Sequence, residues 1–275
     1  MTLLPGVHRD VRAPLLRTGC CAYSYRDYLT GSRTPAMSLE DFLDVCAEIG
    51  IHGVELTSYY VPEPATPRTL HQVARRAFLL GLDITGTAVG NTFTVPPGEE
   101  RDKQLTLVRR WVDLCPEMGG RYVRVFAGAA PEGVSEAQAR QWVVECLRES
   151  CDYAGEIGVI IALENHGGVV ATLDGMLEIL RAVDSPWLCA NLDTGNFHSS
   201  DPYADVAGLA PYAATVHVKT EMVSNGARSE ADLERLAGIL REAGYRGYMH
   251  LEYEAAEDPA TAVPRILKQM LQLSD

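Results

Sequence analysis

The sequence predicts one closed (βα)8 barrel. Two observations carry this: eight short apolar runs alternate with helical patterns along 275 residues, and no linker or low-complexity tract divides them. A third removes the main competitor, an open doubly wound sheet. That fold usually shows a Gly-rich phosphate turn after its first strand, and none follows the first run here. A single domain over residues 1–275 is therefore expected, with 1–16 as a surface leader.

The eight predicted strands are 19–23 (GCCAY), 53–57 (GVELT), 83–89 (DITGTAV), 121–128 (RYVRVFAG), 158–165 (GVIIALEN), 188–193 (LCANLD), 214–219 (ATVHVK) and 247–254 (GYMHLEYE). Helices are expected over 38–50, 66–81, 99–119, 135–158, 172–183, 201–210, 229–244 and 258–273. Ser38 serves the first as cap, and Gly50, Gly81, Gly119 and Gly158 close four of them. Right-handed crossovers through such helices give a parallel sheet, and eight units close it.

Before the first strand, Pro5, Pro14 and interspersed charges break the apolar pairs, so this stretch makes neither a signal-peptide core nor a membrane span. The formal net charge is −13, which argues against a protein that neutralises nucleic-acid phosphates or anionic lipid. Seven cysteines, scattered without metal-site spacing, read as free thiols of a cytoplasmic protein.

In a βα barrel the C-terminal strand ends converge on one mouth, where chemistry sits. The fifth to eighth strands deliver Glu164, Asp193, His217 and Glu252 there. Each alone could be a strand-end charge in an ion pair. Together they concentrate negative charge, with Arg124 and Lys219 as the nearby cations, and a bound dication would resolve the repulsion. Three carboxylates and an imidazole suit Mn²⁺, with Mg²⁺, Co²⁺ or Zn²⁺ as alternatives.

These motifs, GVELTSYY, GTAVGNTF, YVRVFAG, ALENHGG, NLDTGN, HVKT and HLEYE, resemble the strand ends of the xylose isomerase-like TIM-barrel superfamily, in its sugar isomerase/epimerase branch. The resemblance runs from about residue 17 to the C-terminus. It implies that Glu164, Asp193, His217 and Glu252 hold one divalent metal ion, and that Glu164 and Glu252 are the catalytic pair, removing and returning a proton beside a carbonyl through an enediolate.

Several neighbours are candidates for substrate binding. His166 shares a face with Glu164, and Lys219 with His217, because side chains two apart on a strand point the same way. Glu55 is the one charge in its apolar strand; it either accepts a sugar hydroxyl or forms a buried ion pair with Arg124, which could instead pair with Glu164. Asn91 and Asn196 lie in loops after strands three and six. Some ketose epimerases of the superfamily carry His where this chain has Asn196, and Arg where it has Val223, so a narrow ketose 3-epimerase assignment does not follow.

The expected function is metal-dependent isomerisation or epimerisation of a keto-sugar or related polyol, with β-elimination on a 3-keto-glycoside or keto-inositol as the alternative. A DNA-repair endonuclease of the same fold is disfavoured by missing zinc ligands and by charge. A non-catalytic sugar-binding barrel is disfavoured by the intact ligand quartet. The acidic stretch EAAED in loop eight favours an unphosphorylated substrate. The helical exterior leaves room for a homodimer.

Overall fold

The computed structural model describes residues 14–275. Eight parallel strands close into a barrel: β1 (Leu15–Cys21), β2 (Gly53–Thr57), β3 (Asp83–Ala88), β4 (Tyr122–Val125), β5 (Ile160–Glu164), β6 (Leu188–Asp193), β7 (Ala213–Val218) and β10 (Arg246–Leu251). Strand β10 pairs with both β7 and β1, which closes the ring. Between β7 and β10 stands an antiparallel hairpin, β8 (Glu221–Ser224) and β9 (Ala227–Glu230).

The outer helices are α1 (Arg26–Leu29), α2 (Leu39–Ile49), α3 (Pro67–Leu79), α4 (Glu99–Glu117), α5 (Glu136–Ile157), α6 (Leu173–Val183), α7 (Pro202–Leu209), α8 (Leu233–Glu242) and α9 (Pro259–Gln272). Ser38 caps α2 in a reciprocal box: its hydroxyl accepts the Asp41 N–H, and the Asp41 carboxylate accepts the Ser38 N–H. Gly50 and Gly158 end α2 and α5 in the left-handed region, at φ of 86° and 80°. No helix among the described residues is long and apolar enough to cross a membrane. All seven cysteines are free and buried.

Two expectations are corrected. The first strand begins at Leu15, so the expected leader of 1–16 overlaps it; Leu16 is buried and its backbone exchanges bonds with Asp275. The helix expected over 229–244 starts at Leu233, because Ser229 and Glu230 belong to β9 and Asp232 is the cap. The hairpin precedes this helix, and its turn residues Asn225 and Gly226 both have positive φ, the geometry that matches strand twist. The rest of the leader, residues 1–13, lies outside the described residues.

Below the mouth the barrel interior is plugged by a polar layer rather than by aliphatic side chains. Thr85 and Thr215 flank the His250 ring at 2.9 and 3.1 Å from its two nitrogens. Burial pushes that imidazole down to about 3, so it is neutral and hydroxyl-bonded at both ends. Gly19 makes room for it: a Cβ there would stand 2.5 Å from a His250 ring carbon.

Candidate metal centre and active site

Glu164 ends β5, Asp193 ends β6, His217 lies one residue from the end of β7, and Glu252 directly follows β10, its N–H donating to the Val218 carbonyl. These four strands are neighbours in the barrel. Asp193 faces His217 in register, and His217 faces His250, two residues before Glu252. The four side chains therefore enter the same mouth, none more than 6% exposed. His217 Nδ1 stands 3.8 Å from Glu164 Oε2 and 3.6 Å from Glu252 Oε2. Donor atoms of Glu164, Asp193 and His217 all lie within 4.8 Å of one another. The structure thus brings the expected quartet together around His217.

Each donor is held from behind. Glu55 accepts at 2.9 Å from His217 Nε2, which leaves Nδ1 facing the carboxylates. Tyr122 donates to the same Glu55 oxygen at 2.8 Å, and Thr215 donates to Tyr122, linking the centre to the polar layer below. Asn191 donates to Glu164 Oε2 at 3.0 Å. Asn165 grips the Asp193 backbone at both its N–H and its carbonyl. Asp193 Oδ1 accepts the Gly195 N–H at 2.8 Å, whereas its Oδ2 is buried with no hydrogen-bond partner.

The electrostatics fit a cation at this point. Burial pushes the Asp193 carboxyl up to about 7; Lys219 opposes the shift, while Glu164 and Glu252 reinforce it. Burial would also raise Glu164 and Glu252, but Arg124 with His166 lowers the first, and His217 with Lys219 takes the second well below the usual range. Glu55 is likewise held at about 2 by His217 against the cost of its burial. Two ionised glutamates beside Asp193, whose buried Oδ2 has no hydrogen bond and faces Lys219 at 3.5 Å, form a donor set that a dication would complete. Oxygen and imidazole donors in this set suit a hard or borderline ion.

Around the quartet, Arg124 Nε pairs with Glu164 Oε2 at 3.2 Å and its guanidinium stacks on Phe126. His166, about half exposed, bonds Glu164 Oε1 at 2.7 Å. Asn196 donates to the same oxygen at 3.3 Å. Lys219 reaches Glu252 at 2.5 Å and Asp193 at 3.5 Å, and also bonds Glu254. A cavity of about 750 Å³ opens beside His166 and Asn196, reaching Asp174, His198 and Asp205. A smaller one of about 220 Å³ lies between Lys219, Asn196 and the hairpin.

Two expected substrate contacts are corrected. Glu55 is 1% exposed and sits beneath His217, not at the mouth, and it pairs with that histidine rather than with Arg124. Asn91 uses both ends of its amide on the Phe126 backbone, at 2.9 Å each, so it ties two loops together. The sequence reading also passed over Cys21, Asn191, Asn165 and Tyr122. Cys21 was within reach of the same rule, since it ends β1; its donor atom lies within 4.8 Å of those of His217 and Glu252. Asn191 lies inside β6 and Tyr122 at the start of β4, and one polar residue in an apolar run gives no sign of its partner.

The comparisons with known proteins agree with this architecture. A family described as "Xylose isomerase-like TIM barrel" matches residues 43–272. A protein from Bacillus anthracis named 3-dehydroshikimate dehydratase is 24% identical over 213 residues, covering 74% of this chain and 71% of its own. A solved structure described as an IOLI protein with a bound zinc atom superposes with a TM-score of 0.75 at 18% identity, over 94% of this chain and 96% of that one. A 3-keto-D-glucoside 4-epimerase from E. coli gives 0.70 at 18% identity, over 94% and 99%. At these identities the superpositions establish the fold.

Proposed function

The chain belongs to the xylose isomerase-like TIM-barrel family, and from that premise we propose that it is a divalent-metal-dependent isomerase or epimerase of a keto-sugar or related polyol. The observation that carries the reading is the placement of two buried, ionised glutamates, Glu164 and Glu252, 3.8 and 3.6 Å from His217 Nδ1. A bound dication, held by these two with Asp193 and His217, would draw charge from a carbonyl and its neighbouring hydroxyl and so acidify the C–H between them.

Glu252 is then the base that removes the proton, and Glu164 the group that returns one to the other face. Glu164 has a route to solvent for that proton, because His166 bonds it and is itself half open. As charge gathers on the substrate oxygens, the Lys219 ammonium beside Glu252 stands ready to balance it. A phosphorylated substrate fits poorly: Glu254, Glu257 and Asp258 follow β10, and Arg228 in the hairpin is tied to Glu221 at 2.7 Å.

A second reading, β-elimination by a lyase or dehydratase, shares the proton-removal step and expels a substituent from the next carbon. The similarity to a protein named as a dehydratase favours it. Proton NMR in D₂O separates the two. Metal-loaded protein is incubated with ketoses, inososes and 3-keto-glycosides, the metal is chelated away, and products are read. Deuterium incorporation with an isomer or epimer supports the first reading and an unsaturated product the second; no exchange on any member of the panel, with metal bound, sinks both.

A further inference from the structure

We propose that the mouth holds two overlapping donor sets that share His217, and that Cys21 makes one of them selective for thiophilic ions such as Zn²⁺ or Co²⁺. The inference rests on reading the mouth as a metal centre and goes beyond the carboxylate quartet. The first set is Glu164, Asp193 and His217; the second is Cys21, His217 and Glu252, and within each the donor atoms lie no more than 4.8 Å apart.

All three members of the second set are buried, Cys21 and His217 completely. Cys21 is not part of the apolar packing between barrel and helices, which takes its neighbour Cys20 instead. It ends β1 in register with Glu55, the carboxylate that holds His217 from behind. Glu55 Oε1, beneath His217, is itself buried without a hydrogen-bond partner.

A sulfur, an imidazole nitrogen and a carboxylate oxygen form a set that zinc accepts readily and that Mn²⁺ or Mg²⁺ does not favour. On binding, the Sγ–metal bond forms as the thiol proton leaves to bulk water. A soft or borderline ion would therefore sit toward β1, and a hard ion toward β5 and β6.

Optical spectroscopy with Co²⁺ tests this without reference to turnover. The wild-type protein should show a thiolate-to-cobalt charge-transfer absorption in the near ultraviolet, and Cys21→Ala and the closer-sized Cys21→Ser should both lose it. Competition titrations should show Zn²⁺ affinity falling at least about tenfold in either variant, while Mn²⁺ affinity moves less than about twofold. Cys46→Ala, on α2 away from the mouth, should leave the band intact. Tight Co²⁺ binding with no charge-transfer band, or a Zn²⁺ affinity indifferent to Cys21, overturns the second donor set and leaves the quartet standing. Failure to bind any of these ions would overturn both.

Discussion

Glu55 decides what His217 can do. The carboxylate 2.9 Å from Nε2 holds a proton there, so a His217 that binds metal as a neutral ligand presents its lone pair at Nδ1, where the Asn191 amide stands at 3.2 Å. Removing that support in Glu55→Ala should weaken metal affinity by roughly 10- to 100-fold, with the ¹⁵N shifts of His217 reporting a changed tautomer population. An unaltered tautomer and affinity would reduce Glu55 to packing. The two mouth glutamates call for a different test. Replacing either Glu164 or Glu252 by Gln keeps an oxygen near the metal and removes the base, so turnover should fall by at least about 10²-fold. If Glu252 removes the proton, Glu252→Gln also loses exchange of the substrate hydrogen with D₂O, while Glu164→Gln still exchanges but does not complete the reaction. Reversed behaviour swaps the roles. Unchanged exchange and turnover in both variants, with metal retained, would end the proposal that they act as bases.

Local chemistry specifies the helices well, and α2 shows it. Ser38 and Asp41 satisfy each other's backbone N–H, so Ser38→Ala should cost about 0.5–2 kcal/mol, read as a lower urea midpoint at unchanged slope. An unshifted midpoint would mean that tertiary packing alone holds the helix start. The same kind of signal explains what was legible in the sequence. Caps, glycine stops and apolar runs gave the barrel, and the strand-end rule gave Glu164, Asp193, His217 and Glu252. The hairpin was also legible in principle, since Asn225-Gly226 is a strong turn signal, but its strands are short and β9 is fully exposed, leaving no apolar alternation to read. Glu55 and Asn91 were misplaced for another reason. A polar residue in a strand or loop announces that it has a partner, yet its partners here, His217 and Phe126, lie 162 and 35 positions away, and only closure of the barrel identifies them.

Across the whole molecule, several exposed carboxylates are held below their ordinary range, each mainly by a hydrogen bond. Asp41 is lowered by Ser38, Glu63 by Arg110 and Asp258 by Tyr28. These contacts link α2 to its cap, the loop before α3 to α4, and α1 to the start of α9. The sign follows from linkage. A carboxyl with a lower pKa in the folded state is protonated first in the unfolded chain as acid is added, so the stability it contributes is complete above the unfolded value near 4 and is lost as pH falls through the folded value. A variant carrying Asp41→Asn, Glu63→Gln and Asp258→Asn should therefore be less stable than wild type at neutral pH, and the two should converge as pH falls below the ordinary carboxylate range. Urea unfolding of both proteins between pH 3 and 7, at fixed metal concentration, measures the gap directly. The Glu63–Arg110 pair joins two exposed charges, so its share of the gap should shrink in 1 M salt, whereas the share from the Asp41 cap, bonded to a neutral hydroxyl and N–H, should persist. Parallel stability curves across that range would show that these carboxylates titrate alike in the folded and unfolded chains, and that acid unfolding begins elsewhere.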